Sequence, residues 1–375
     1  MLNKERLIKE FTELVSVPCP SKDERQEAEL IMRKLKELGI EAEMDDAGEK
    51  AGGTCGNVWA YIKGNCSQAP VLFFEAHMDS VAPTTGTKVV RKDGVLYSDG
   101  TTTLGGDDKV GIAAALEAVR AIKEDKLPHG DIQLCFTIGE EIGCLGVVHM
   151  DKARIKADFG YCLDIGGELG EIVYAAPKLY ELFVKVTGKA AHAGIAPEKG
   201  INAIMLAAEA LHRLPGYGRI DEETTLNVGV FHAGVGNNVV APQADFVVDM
   251  RSLNVEKLEK LKDEVCRVIT TAVEEGGGKV EIDVKEGCPA VAVARDHECI
   301  KLAQEAAANL GHKSVLKTTG GCSDGNYLCG YGLPCALLAT GMSNVHTTEE
   351  YLKEDDLFGT AQWVYEIICL AAEKK

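Results

Sequence analysis

The chain has 375 residues, 58 aspartates and glutamates against 40 lysines and arginines, and a formal net charge of −18. That length exceeds what one hydrophobic core fills, so two domains are expected, and the acidic balance without a basic patch excludes nucleic acid and anionic membrane as partners. Thirteen scattered cysteines without a CxxC pair read as small buried hydrophobes in a reducing compartment, and "MLNKERLIKEFTELVSV" interrupts any signal-peptide core with charges, so a cytoplasmic chain is expected, with no stretch approaching membrane-spanning length.

Apolar spacing of three and four predicts amphipathic helices over 3–16 and 22–39, Gly39 closing the second. Buried strands follow at 58–62 ("VWAYI"), 71–76 ("VLFFEA") and 132–138 ("IQLCFTI"), and 108–123 ("DKVGIAAALEAVRAIK") reads as the helix between the last two. This is alternating α/β, in which sites gather at the carboxyl ends of strands. After Pro177 the order becomes strand 179–187, helix 201–213, strands 224–233 and 244–252, helix 255–275 and strand 279–285. That β-α-β-β-α-β succession is the ferredoxin-like unit. The α/β alternation resumes from about 291 with helix 297–310, strand 333–338 and helix 355–372. The expected organisation is therefore a first segment over 1–177, an inserted α+β domain over 178–290 and a second segment of the large domain over 291–375. No internal repeat or low-complexity tract interrupts it.

Acidic and histidine residues cluster where strands should end: His77 and Asp79 in "AHMDS", Asp107 and Asp108 in "GGDDKVG", Glu140 and Glu141 in "GEEIG", and Asp164 in "LDIGG". Each cluster alone also has a plain reading, as a solvated loop, a helix cap or a turn former. His77 and Asp79, two apart, share a side of an extended segment, which lets the carboxylate hold one ring nitrogen while the other binds metal. Paired carboxylates at Glu140 and Glu141 repel, and something positive should sit nearby. With His346 in "GMSNVHTTEEYL", the residues His77, Asp107, Glu141, Asp164 and His346 form a nitrogen and oxygen set without cysteine, suited to zinc or less selectively to manganese or cobalt. Two histidines and three carboxylates satisfy two metals if one carboxylate bridges, leaving one glutamate to bind and the other to work beside it.

The motifs "HMDS", "DGTTTLGGDDKVGIAA", "GEEIGCLG", "AHAGIAPEKGINAI" and "GGCSDGN", in that order and followed by His346, resemble the peptidase T-like branch of the dizinc exopeptidase family, which also contains carboxypeptidase G and aminoacylase. The resemblance runs through nearly the whole chain. It implies a dizinc catalytic domain interrupted by a ferredoxin-like dimerisation domain, two zinc ions per subunit (manganese or cobalt as substitutes), and a homodimer that hydrolyses short peptides, as an aminopeptidase on tripeptides. By the same resemblance His77 and Asp164 bind one zinc, Glu141 and His346 the other, and Asp107 bridges. Asp79 orients His77, Glu140 is the general base, and Asp108 caps the helix. It further implies that His192 of the inserted domain reaches the partner subunit's site to stabilise the oxyanion, that Asn238 and Arg251 hold substrate, and that the loop with Gly321 and Ser323 faces the substrate. The chain departs from the family pattern where Ala241 stands in place of a usual proline, with Pro242 following. Two rivals remain at this point: an N-acyl-amino-acid deacylase or carboxypeptidase with the same metals, and a catalytically silent, metal-stabilised binding module.

Overall fold

Helices Lys4–Val15 and Arg25–Glu37 open the chain. The first is capped by the Asn3 side chain, which accepts from the Arg6 N–H at 3.0 Å, and it buries Leu7, Phe11 and Leu14 along one stripe. The computed structural model describes residues 1–373, which divide into two units: residues 1–175 with 291 onward, and residues 176–290.

The larger unit is built on a mixed sheet. Its centre runs in the order Ile132–Thr137, Leu72–His77, Phe159–Ile165 and Cys335–Ala339, and these four strands are parallel. Val58–Ile62 adds antiparallel to Ile132–Thr137. The central strands are apolar on both faces because helices cover them. The helix Gly106–Asp125 is buried nearly all round, against Lys4–Val15, Glu354–Glu373 and the strands Leu72–His77 and Phe159–Ile165. All four carboxyl ends therefore lie along one edge of the sheet.

The smaller unit is a sheet in the order Thr224–Ala233, Gln243–Ser252, Lys178–Thr187 and Lys279–Glu286, every neighbour antiparallel, with helices Ala203–His212 and Val255–Glu275. Period-two alternation sends Tyr180, Leu182, Val184 and Val186 inward, along with Phe246, Val248 and Met250. These meet Leu258, Leu261, Val265 and Ile269, the helical stripe of the longer helix. The fold class is thus α/β with an inserted ferredoxin-like α+β unit, as the sequence leads one to expect.

The structure adds short elements that periodicity does not mark: a strand Gly218–Asp221 pairing with Thr224–Ala233, and a separate sheet of Val90–Lys92, Val95–Tyr97 and Tyr351–Lys353. Three- and four-residue strands are too short to display alternation. The helix expected from 108 also differs, since Asp107 and Asp108 have non-helical backbone angles and regular turns begin at Lys109.

Glu27, on the second helix, is fully buried, and neither carboxylate oxygen meets a hydrogen-bond donor. Burial pushes its pKa up to about 8, against the opposing pull of Lys109 and Lys34. A group whose folded pKa is raised favours the folded state below its unfolded pKa and loses that contribution as pH rises through the folded value. Glu27→Gln should match the wild type in stability near pH 4.5 and exceed it by roughly 3–5 kcal/mol above pH 8, on the basis of 1.36 kcal/mol per pKa unit. Denaturant melts at the two pH values check this; a difference independent of pH would contradict it.

Candidate metal centre

The sheet edge collects residues far apart in sequence. His77 ends its strand and is fully buried, with its Nε2 3.1 Å from Asp107 Oδ1 and 3.9 Å from Asp164 Oδ1. His346 Nε2 lies 3.2 Å from Asp107 Oδ2 and 3.0 Å from Glu141 Oε2. One carboxylate, Asp107, thus turns one oxygen to each histidine. Two ligand groups result, His77 with Asp107 and Asp164, and Asp107 with Glu141 and His346, each with donor atoms within 4.8 Å of one another. All five expected metal ligands come together.

Packing explains how Asp107 reaches this position. Gly111 sits one turn into the helix, and a Cβ there would fall 2.8 Å from the Leu163 Cβ and 2.9 Å from the Ala76 Cβ, the residues just before Asp164 and His77. Only glycine lets the helix start press on the two strand ends. Lys109, also buried, donates from Nζ to the Met78 carbonyl and to Ser80 Oγ at 2.7 Å, and Ser80 Oγ donates to the Asp107 carbonyl at 3.2 Å. Asp108 belongs to neither ligand group, and its Oδ1 accepts from the Gly111 N–H at 3.3 Å, as a cap does.

Asp79 faces the His77 ring with both its backbone carbonyl and its carboxylate. The His77 Nδ1 hydrogen bond, at 2.9 Å, goes to the Asp79 backbone carbonyl, and the nearer carboxylate oxygen is 3.5 Å away. The carboxylate also accepts from Ser21 Oγ at 2.6 Å and from the N–H groups of Glu140 and Glu141 at 3.0 and 3.3 Å. It fixes the turn Glu140–Ile142, which follows Gly139 at φ +60°.

Glu140 shares a second acidic pocket with Cys144 and with Asp324, whose carboxylate is fully buried. A cavity of about 330 Å³ opens over the cluster, lined by Asp107, Glu140, Glu141, Asp164, Ser323 and His346, with Gly321 also on its wall. Ser323 caps the helix Asp324–Gly330, its N–H donating to Asn326 Oδ1 at 3.0 Å, so a capping turn and a cavity-lining loop are the same residues.

The remaining expected site residues belong to the smaller unit. His192 and Asn238 are exposed on adjacent loops joined by the Ala193 N–H to Asn238 carbonyl bond at 2.9 Å and by the bridge between His192 and Val239. Arg251 projects from the face of the sheet opposite the helices and pairs with Asp249, Nε to Oδ1 and Nη2 to Oδ2 both at 3.0 Å.

The sequence matches Peptidase family M20/M25/M40 over residues 73–369. The chain belongs to that family. The aminopeptidase PepT of Bacillus cereus has a structure similar to this one with a TM-score of 0.96 at 39% identity, each chain covered in full. A tripeptidase of Staphylococcus aureus is similar with a TM-score of 0.96 at 35% identity, again over the whole of both chains. The Peptidase T of Geobacillus thermodenitrificans is 28% identical over 99% of each sequence. The protein is accordingly a metallo-exopeptidase of this family.

The electrostatics of the cluster suit such an enzyme. Burial pushes Glu140 up to about 8 and Glu141 to about 7, His77 opposing and neighbouring carboxylates adding. Burial also drives Asp164 well above the usual carboxylate range, with Asp107 and Glu140 contributing. Asp107 is the exception: burial would raise it, yet hydrogen bonds from His346 and His77 hold it below its ordinary value. The His346 ring rises to about 9, chiefly through its bond to Asp107. The carboxyl groups cannot all ionise without added positive charge, and Glu141 Oε1 is a buried acceptor with no donor. Divalent cations would meet both demands, and oxygen and imidazole donors without thiolate fit zinc, manganese or cobalt.

Sequence reasoning missed Glu350, Lys109 and the burial of Asp324. Glu350 stands beside Glu349 in "HTTEEYL", where two adjacent acids read as a solvated pair. Its spacing of four from His346 was the available signal.

Proposed function

We propose that the chain is a dinuclear zinc aminopeptidase that releases the first residue of tripeptides. The observation that carries this is the placement of Asp107 between His77 and His346, which suits a bridging carboxylate. His77 and Asp164 would hold one ion, Glu141 and His346 the other, and Asp107 both. When bound, paired ions lower the pKa of water from about 15.7 toward about 7 and polarise the peptide carbonyl. Glu140, half-buried beside Glu141 and held through its N–H by Asp79, takes the proton of the attacking water and passes it to the departing amine. Burial raises this carboxyl in the metal-free cluster, and divalent charge beside it would lower it again, favouring the ionised form that accepts a proton.

The substrate reading rests on the aminopeptidase and the tripeptidase that the chain resembles along its whole length. The cavity of about 330 Å³ suits a peptide end and not a folded chain. By the family resemblance Arg251 would bind the substrate's terminal carboxylate and Asn238 its backbone, and the loop with Gly321 and Ser323 would face the substrate. A cytoplasmic setting is proposed from the sequence; Cys19, Cys135 and Cys162 are buried free thiols, whereas Cys288 and Cys322 are disulfide-bonded, contrary to the expectation of thiols alone. No helix among the described residues is long and apolar enough to cross a membrane.

The same reading makes the protein a homodimer in which His192 serves the partner's site. Support comes from the smaller unit, where Val230, Phe231 and Val235 are exposed on and just beyond the strand Thr224–Ala233, whose neighbour Gly218–Asp221 pairs only with its first residues.

Glu140→Gln should retain both metals and lose roughly 10²- to 10⁴-fold in turnover, whereas Glu141→Gln should lower metal affinity. Metal analysis beside single-turnover kinetics checks the assignment, and the opposite pattern would reverse it. A panel of free, amidated and N-acetylated tripeptides tests the substrate. Cleavage after residue one of free tripeptides is expected, with amidation lowering kcat/KM by more than about 30-fold through loss of one half of a charge pair. Preference for N-acetyl amino acids would point to the deacylase, and a flat screen at full metal content to the binding module.

A further inference from the structure

The loop that carries His346 is closed at its base by Ser343 and Tyr351, which exchange backbone hydrogen bonds at 3.2 and 3.1 Å. Inside it Thr347 Oγ1 donates to the Asn344 carbonyl at 2.7 Å, and the Glu350 N–H donates to the Thr347 carbonyl at 3.2 Å. His346 itself has φ +65°, a left-handed conformation that is uncommon for residues other than glycine. Such a loop needs an external anchor to hold an exposed imidazole at one place.

Glu350 supplies the anchor. It is only 2% exposed, and its two oxygens straddle the turn before Asp107, Oε2 accepting from the Gly105 N–H at 2.8 Å and Oε1 from the Asp107 N–H at 3.0 Å. Gly106, between them, has no side chain to hold the carboxylate off: a Cβ there would lie 3.0 Å from Oε1. The two loops therefore meet twice, through Glu350 and the Asp107 backbone, and through His346 Nε2 and Asp107 Oδ2. Two crossing contacts between the same pair of loops fix the separation of the imidazole from the carboxylate.

We propose that Glu350 is a positioning residue that sets the distance between His346 and Asp107, and so the affinity of the ion those two share with Glu141. The inference rests on the ligand assignment given above. Partners that orient metal ligands without touching the metal typically change affinity 10- to 100-fold when lost. Glutamine at this position keeps the size but offers one acceptor oxygen and sets an NH₂ group against an N–H donor. Aspartate keeps both oxygens on a stem one methylene shorter.

The test is a zinc titration of the metal-free full-length chain against a chromophoric competitor. The wild type should take up two equivalents. Glu350→Gln should weaken one of them by at least about 10-fold and the other, which shares only Asp107, clearly less, with kcat recovering at high zinc and KM little altered. Glu350→Asp should show a smaller loss of the same equivalent, and it decides the matter if the glutamine variant does not fold. Glu349→Gln, exposed and one residue away, should titrate as the wild type does. Unchanged binding of both equivalents in Glu350→Gln and Glu350→Asp, or an equal loss of both with a matching fall in the melting temperature of the metal-free protein, would overturn the proposal. A wild type that binds fewer than two equivalents would overturn the ligand assignment itself.

Discussion

The interaction on which the rest depends is the shared carboxylate of Asp107, with His77 Nε2 at 3.1 Å from one oxygen and His346 Nε2 at 3.2 Å from the other. It is nearly buried, and it stays below its ordinary pKa only because both rings donate to it. Around it Asp164, Glu140 and Glu141 are all raised by burial and mutual repulsion. An acidic cluster of this kind is costly in the folded chain unless cations enter it. The site is thus a place where stability is given up so that divalent ions can bind.

Much of the larger unit can be understood as holding that one side chain. Parallel strands bring four carboxyl ends to a single edge, which gathers residues from 77 to 346 without long connections. Gly111 allows the helix to close on Ala76 and Leu163. Lys109 and Ser80 tie the Asp107 turn to the strand end from one side, and Glu350 holds its N–H groups from the other. Asp79 serves the opposite wall, keeping the Glu140 turn in place through two backbone N–H groups.

The long elements were legible in the sequence because their periodicity is strong. Helix 255–275 and strand 224–233 have the bounds that spacing alone predicts. The five candidate ligands were legible because acids and histidines at the ends of apolar runs have few other uses in such number. Glu350 was not, since an adjacent acid pair looks solvated until the turn it straddles is known. Asp79 was legible as a partner of His77 from its spacing of two, but not in its further contacts: the backbone carbonyl is the nearer oxygen to the ring, and the carboxylate also holds the Glu140 turn. Short strands such as Val90–Lys92 carry no pattern to read, since their pairing with distant chain decides them.

The most direct test of the central claim is a crystal structure of the zinc-loaded protein with anomalous data collected across the zinc absorption edge. Two peaks are expected beside Asp107, one also contacting His77 and Asp164, the other Glu141 and His346, at the roughly 3.5 to 4 Å separation of paired hydrolytic ions. A single peak, or two peaks that do not share Asp107, would contradict the account.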